Sequence, residues 1–434
     1  MKEQSRVLII SYNALSKEGA NGRTMEFLVH SFPKENVAQL FFANETPGFS
    51  VTDRYYRVSE KQLVKAFLKG KPAGAPVKNR EQTVKQEKAV ITDDKFDKIT
   101  NFAKSNKRSV FVRFFRDVLW YLTKKQWFNA SLQQWIEDFS PEVILTISGK
   151  NCCFHNITLE IAKKYDLPLV VYHCEDYCFK KQPLKSFLRR KYIRGLKKSV
   201  DALMEYASLA IYNTDAIRDF YSKEYATPSI VAYMSTDMQR VEEKKNSGSL
   251  VLSYMGNLTL GRDESLLQVA NVLASISPDA RIDLYAPTIT VEFFEKIKDL
   301  SNIEYKGFIS YEECKQVIAN SDILLHAESF DEKIKTNLKI AFSTKIADSL
   351  ASGVAFFVYA PQGIASTDYL LKHNAACVAT SPEELEEKLR DFVSDSCLRQ
   401  KYIDSALKLA RENHTLEKTV KEIDCAINSV RKIK

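Results

Sequence analysis

The sequence predicts two α/β domains, each built on a parallel sheet with helices on both faces. Short β-rich runs alternate with helical periodicity nearly from end to end, and each run leads through a loop into a helix. A polar break, Glu242-Glu243-Lys244-Lys245-Asn246-Ser247-Gly248-Ser249, then separates two such series. The 434 residues are 45% hydrophobic and 27% charged, with 13 Gly and 12 Pro. That composition excludes collagenous, low-complexity and wholly disordered chains.

In the first half the strand signals are Val7-Leu8-Ile9-Ile10, Ala38 to Phe42, Val143 to Ile147, Leu169 to Tyr172 and Ala210 to Asn213. Residues 68–95 are polar, Lys-rich and punctuated by Gly70, Pro72, Gly74 and Pro76, so a partly mobile basic insertion is expected over about 60–125. In the second half the strand signals are Leu250 to Met255, Arg281 to Tyr285, Ile303 to Lys306, Ile323 to His326 and Ala355 to Tyr359. The expected domains are 1–240 and 250–412, joined by a hinge at 241–249, with a terminal helical segment at 413–434.

Charge is unevenly placed. Residues 61–125 carry 17 Lys/Arg against 6 Asp/Glu, and residues 180–198 carry 9 Lys/Arg and no acid, within an overall net charge of +8. A basic surface on the first domain calls for an acidic partner. In the 179–198 segment Leu184, Phe187, Leu188, Tyr192 and Leu196 recur at helical spacing between cations, the pattern of a basic amphipathic helix lying on an anionic membrane. A core-packed helix with a solvated cationic face has the same pattern. Residues 110–127 repeat the mixture, and Trp120, Trp127 and Trp135 suit either headgroup depth or a core. Nucleic acid is the weakest partner, since no recognition motif accompanies the charge.

No run reaches the roughly 18 apolar residues of a membrane span, and Met1-Lys2-Glu3-Gln4-Ser5-Arg6 lacks the apolar stretch of a signal peptide. A cytoplasmic protein, peripheral on the inner face of the plasma membrane, is expected. The eight cysteines form no CxxC pair and are read as mostly buried thiols, with no structural metal.

Ligands of parallel α/β sheets bind in loops at the carboxyl ends of strands. After the first strand come Gly19 and Gly22, which admit an anion to backbone N–H groups or simply permit a turn. After Met255 come Gly256, Asn257, Gly261 and Arg262, the last able to clamp a diphosphate or to stand solvated in a first helical turn. Ser343 and Thr344 read as caps of a helix whose start faces an anion, with Lys345 and Asp348 on one side of it. A plain capped helix ended by Gly353 fits as well.

Taken in order, Gly256-Asn257-Leu258 with Arg262, Ile303-Glu304-Tyr305-Lys306-Gly307, Ser321-Asp322-Ile323-Leu324-Leu325, and Ser343-Thr344-Lys345-Ile346-Ala347-Asp348-Ser349-Leu350-Ala351-Ser352-Gly353 resemble the donor domain of retaining glycosyltransferases of the GT-B fold. Within these the chain is most similar to the family-four (group 1) type of bacterial capsular and exopolysaccharide assembly. The resemblance implies two Rossmann-like domains facing across a cleft, closing about residues 240–249, and a C-terminal helix returning to the first domain. It implies a UDP- or GDP-linked sugar donor, no cofactor or metal, and a polyprenyl-diphosphate-linked saccharide acceptor. Arg262 stands for the family's diphosphate-binding Lys, Asn257 replaces a frequent Arg, and Asp348 replaces the ribose-holding Glu. The earlier acid of the family's Glu pair has no counterpart at Ile340, and Glu328 is the nearest candidate. His173 resembles the active-site histidine, although a histidine at a strand end also fits a core. A sugar-nucleotide 2-epimerase and a catalytically weak partner subunit on the same fold are the other readings.

Overall fold

A computed structural model describes residues 4–16, 20–79, 110–177, 179, 187–241 and 248–432. They divide into two compact units, the first made of the described residues up to 79 with those of 110–233 and 417–432, the second of those between 234 and 416. Six of the nine residues of the 241–249 hinge segment, 242–247, lie outside the described residues.

The first unit carries an eight-stranded sheet. Its strands are β1 (Val7–Ser11), β2 (Val37–Phe41), β3 (Arg54–Arg57), β4 (Ala75–Val77), β5 (Val143–Ile147), β6 (Leu169–His173), β7 (Leu209–Tyr212) and β8 (Ser229–Val231). Their order is β4-β3-β2-β1-β5-β6-β7-β8, parallel except where β4 pairs antiparallel with β3. Every residue of β1, β2 and β6 is buried, as strands covered on both faces must be. The order reverses between β1 and β5, which sets a switch point there.

The basic insertion holds more order than its composition indicates. Helix Glu60–Lys69 starts at a Ser59–Gln62 capping box and ends at Gly70 in the left-handed region. β4 follows inside the stretch expected to be mobile, and Pro76 is accommodated because β4 is an edge strand. Residues 80–109 lie outside the described residues.

Of the two placements the sequence allows, Trp120 and Trp127 take the core: each is 2% exposed, with Trp120 edge-on to Phe42 and Trp127 donating to the Trp120 carbonyl at 3.0 Å. Helix Phe187–Tyr206 divides in two. Tyr192 and Leu196 are buried, whereas Phe187 and Leu188 face solvent. Leu184 lies outside the described residues.

The C-terminal helix Leu416–Ser429 packs within the first unit. Asn428 Oδ1 accepts from the Ser5 amide at 2.9 Å, and Gln4 Nε2 donates to Asp424 at 3.1 Å.

The second unit has a six-stranded parallel sheet of β9 (Val251–Met255), β10 (Arg281–Tyr285), β11 (Ile303–Gly307), β12 (Ile323–Ala327), β13 (Ala355–Tyr359) and β14 (Cys377–Ala379), in the order β11-β10-β9-β12-β13-β14. Helix Arg262–Ile276 buries Leu266, Val269 and Leu273 against Leu252, Ile282 and Leu325 of the sheet. Here the order reverses between β9 and β12.

Gly22 has a packing role. A Cβ there would lie 2.5 Å from the Ser16 carbonyl oxygen, 2.8 Å from its nitrogen and 2.9 Å from the Ala14 oxygen, all backbone atoms with no rotamer to yield. Gly22→Ala is therefore expected to destabilise the protein by about 1 to 3 kcal/mol through overpacking. An unchanged denaturation midpoint would refute the close approach.

Candidate functional site

The residues that could carry chemistry converge at the switch point of the second sheet. β9 ends at Met255, and Gly256 to Gly261 lead into helix Arg262–Ile276. Tyr254 donates its hydroxyl to the Asn257 carbonyl at 2.8 Å, which ties the loop down. Leu260 (φ 66°) and Gly261 (φ 70°) both adopt left-handed backbone. Glycine takes this region freely, but for an exposed leucine it costs about 1 to 3 kcal/mol, and such strain concentrates at functional loops.

β12 delivers the opposing groups. Residues two apart on an extended strand share a side, so His326 and Glu328 point together. Glu328 receives Arg262 in a fork, Nε to Oε2 at 2.8 Å and Nη2 to Oε1 at 3.0 Å, while His326 Nε2 lies 3.4 Å from Oε1. The pair is well buried, with 17% of the Arg262 side chain and 4% of Glu328 exposed. Burial works to raise the Glu328 pKa, but His326 and Arg262 outweigh it and hold it down at about 2. Ser265 Oγ donates to the Glu328 carbonyl at 2.9 Å, tying the helix to β12.

Lys345 completes the cluster. It opens helix Lys345–Ala351, half-buried, with Nζ 5.6 Å from the Tyr254 ring centroid. A methyl group at Gly256 would overlap its ammonium, so the glycine makes room for that cation. Burial, and then the neighbouring Arg262 charge, push its pKa down to about 8.

The structure thus brings together Gly256, Arg262, Glu328 and Lys345. Asn257 is on the same loop, its side chain exposed. Glu328 is engaged with Arg262 and acts on the site by orienting that guanidinium. Ser343 and Thr344 precede the Lys345 helix, but Thr344 makes no side-chain cap bond, contrary to a capping role, and the helix is only seven residues long.

Asp348 belongs to a separate group in this unit. Thr236 Oγ1 donates to it at 2.5 Å and the Tyr311 hydroxyl at 3.3 Å, and Lys315 beside them pairs with Asp237 at 3.1 Å. His326, Tyr254, Thr236 and Tyr311 were not singled out from sequence. Two-residue spacing on the strands would have found His326 beside Glu328 and Tyr254 beside Gly256; nothing local signals Thr236 or Tyr311.

In the first unit His173 ends β6 with no exposed surface. Its ring packs 4.5 Å from Tyr221 and 5.6 Å from Tyr212, and Nε2 lies 3.1 Å from Met204 Sδ. Burial lowers its pKa to about 3, leaving a neutral imidazole. This is the core placement of the two that the sequence allowed. Gly19 lies outside the described residues.

Among the described residues no three His, Cys, Asp or Glu side chains group as metal ligands, and no helix is long and apolar enough to cross a membrane.

Comparison with known proteins extends these observations. Residues 262–424 match the model of a family described as Glycosyl transferase-like. No curated protein matches the chain. Among solved structures, the chain is similar to Anabaena Alr3699/HepE in complex with UDP, at 11% identity over 98% of this chain and 100% of that one, TM-score 0.64. It is also similar to sucrose-phosphate synthase (tll1590) from Thermosynechococcus elongatus, at 8% identity over 96% and 97%, TM-score 0.61. WaaG, a glycosyltransferase involved in lipopolysaccharide biosynthesis, aligns at 15% identity over 97% and 99%, TM-score 0.55. Across the whole chain, the two parallel α/β units have the fold of the GT-B glycosyltransferases.

Proposed function

We propose that this protein is a metal-independent, retaining glycosyltransferase that takes a sugar from a UDP- or GDP-linked donor. The observation that carries the reading is the convergence of Lys345, Arg262 and Gly256 at the β9/β12 switch point, inside or adjoining the stretch that matches a glycosyl transferase-like family. Two cations beside a glycine-opened loop suit a diphosphate, which must be stabilised as it departs. Lys345 supplies the less engaged positive charge, and Arg262, fixed by Glu328, supplies an oriented one.

In the transfer, the bond from the anomeric carbon to the diphosphate oxygen breaks and a bond to the acceptor oxygen forms on the same face. The acceptor's hydroxyl proton passes to the departing phosphate oxygen, so no protein base is required. The acceptor we favour is a polyprenyl-diphosphate-linked saccharide used in surface polysaccharide assembly, reached at an anionic membrane. Helix Val110–Leu122 supports this, because Phe114, Phe115, Val118, Tyr121 and Leu122 are all exposed and recur at helical spacing. Phe187 and Leu188 add exposed apolar surface beside Arg189, Arg190 and Lys191.

Thermal unfolding with UDP, GDP, ADP, CMP and their sugars tests the donor reading. A nucleotide at 100 times its dissociation constant stabilises the fold by about 2.7 kcal/mol. A rise with one diphosphate base, larger with one sugar attached, is expected; no rise with any of them would refute a donor site and favour the partner-subunit reading.

A further inference from the structure

A second candidate site lies in the first unit. A cavity of about 520 Å³ opens among helices Val110–Leu122, Cys152–Tyr165 and Phe187–Tyr206, within the range of about 300 to 1,000 Å³ usual for ligand pockets. Helix Cys152–Tyr165 follows β5, and Cys152, its first residue, lines the cavity. The cavity therefore sits at the carboxyl end of the sheet beside the β1/β5 switch, where such units bind ligands.

Its chemistry is that of an amphiphile's container. Phe114, Leu188 and Tyr192 supply apolar walls, and Lys191 and Lys198 stand exposed at its edge. Lys191 Nζ lies 6.0 Å from the Phe114 ring centroid, a cation held over the apolar wall. Phe115, Tyr121 and Leu122, on the same helix as Phe114, are exposed. Deeper in, burial and then the Asp117 charge push the Cys152 thiol up to about 12, which removes it as a nucleophile and leaves the cavity to binding.

Gly195 is a separate indication. It lies in the interior of helix Phe187–Tyr206, where glycine costs about 1 kcal/mol relative to alanine. A Cβ there would meet nothing within 4 Å, so no packing contact demands the glycine; it leaves the cavity wall open.

We infer that this cavity holds the hydrocarbon chain of a lipid phosphate, with Lys191 and Lys198 taking the phosphate at its edge. The inference rests on the proposed lipid-linked acceptor and assigns where its lipid is held.

Calorimetric titration of the full chain with farnesyl phosphate, kept below micelle-forming concentration, tests it against two variants, one single and one double. Gly195→Leu fills the cavity with a better helix former, so the fold should hold, as a denaturation curve would verify. It should weaken farnesyl phosphate about tenfold or more, the loss expected when about two methylene groups stay in water. Lys191→Gln with Lys198→Gln should weaken farnesyl phosphate and leave farnesol binding unchanged, and inorganic phosphate alone should not bind measurably. Undiminished binding to folded Gly195→Leu, or none to the unaltered protein, overturns the inference. The nucleotide panel reads the donor reading separately: nucleotide binding without farnesyl phosphate binding sinks the cavity alone, and the reverse sinks the donor site alone.

Discussion

Replacing Arg262 with alanine is expected to destabilise the protein by about 3 kcal/mol, because it leaves a carboxylate buried without its principal partner. Glu328 is 4% exposed and Arg262 17%, so solvent screens little of the interaction. His326 at 3.4 Å recovers only part of the loss, because one imidazole contact cannot replace a forked guanidinium. Glu328→Gln in the same chain should restore most of the stability, since removing the charge with its partner removes the unmet desolvation. A double-mutant cycle by denaturant unfolding would give that coupling directly. The pH dependence has a definite sign. The Glu328 carboxyl falls from the usual 4.5 to about 2 in the fold, so its contribution is full above about 4.5 and is lost as pH falls towards 2. In Arg262→Ala that acid loss should shrink or reverse, because burial then raises the Glu328 pKa unopposed by Arg262 and protonation removes the unpaired charge. Equal denaturation midpoints for Arg262→Ala and the unaltered protein would refute the buried pair.

The pair also shows what the sequence could and could not disclose. The long central strands were legible, since β1, β5, β6 and β13 are dominated by runs of apolar or β-forming residues bounded by loops. β3, β4, β8 and β14 were not, being three or four residues long and, for β4, interrupted by Pro76. Their strand identity comes from a neighbour already in place. Arg262 and Glu328 were each legible as groups with charge to offer a ligand. That they offer it first to each other depends on a pairing across 66 positions of sequence, which β9 and β12 create by lying side by side. Asp348 likewise looked like a free carboxylate one turn from Lys345, until the fold brought Thr236 and Tyr311 to it. Composition marked residues 110–127 as amphipathic but could not say which aromatics face out. Helical phase turns Trp120 inward and Tyr121 outward.

Lys345→Met should weaken the nucleoside diphosphate that binds by about 10- to 100-fold, the loss of one charge-assisted contact of about 1.5 to 3 kcal/mol. It should not lower stability. Burial and the Arg262 charge hold the Lys345 pKa down at about 8, which means its ammonium is less favourable in the fold than in water. An unfolded lysine keeps its proton to about 10.5, so the stability of the free protein should rise from pH 8 towards 10.5 as the folded side chain becomes neutral. Affinity should move oppositely, falling above pH 8 as the cation is lost. A terminal phosphate has shed its last proton by about pH 6, so the ligand's own titration does not produce that fall. Gly256→Ala gives the same result by another route. Its methyl would displace the end of a flexible side chain and leave the backbone in place, so affinity should drop while the fold survives. If both variants bind the nucleotide as the unaltered protein does, and affinity stays flat from pH 7 to about 9.5, the diphosphate does not sit on Lys345. Arg262 would then have to hold it with whatever guanidinium hydrogens Glu328 leaves available.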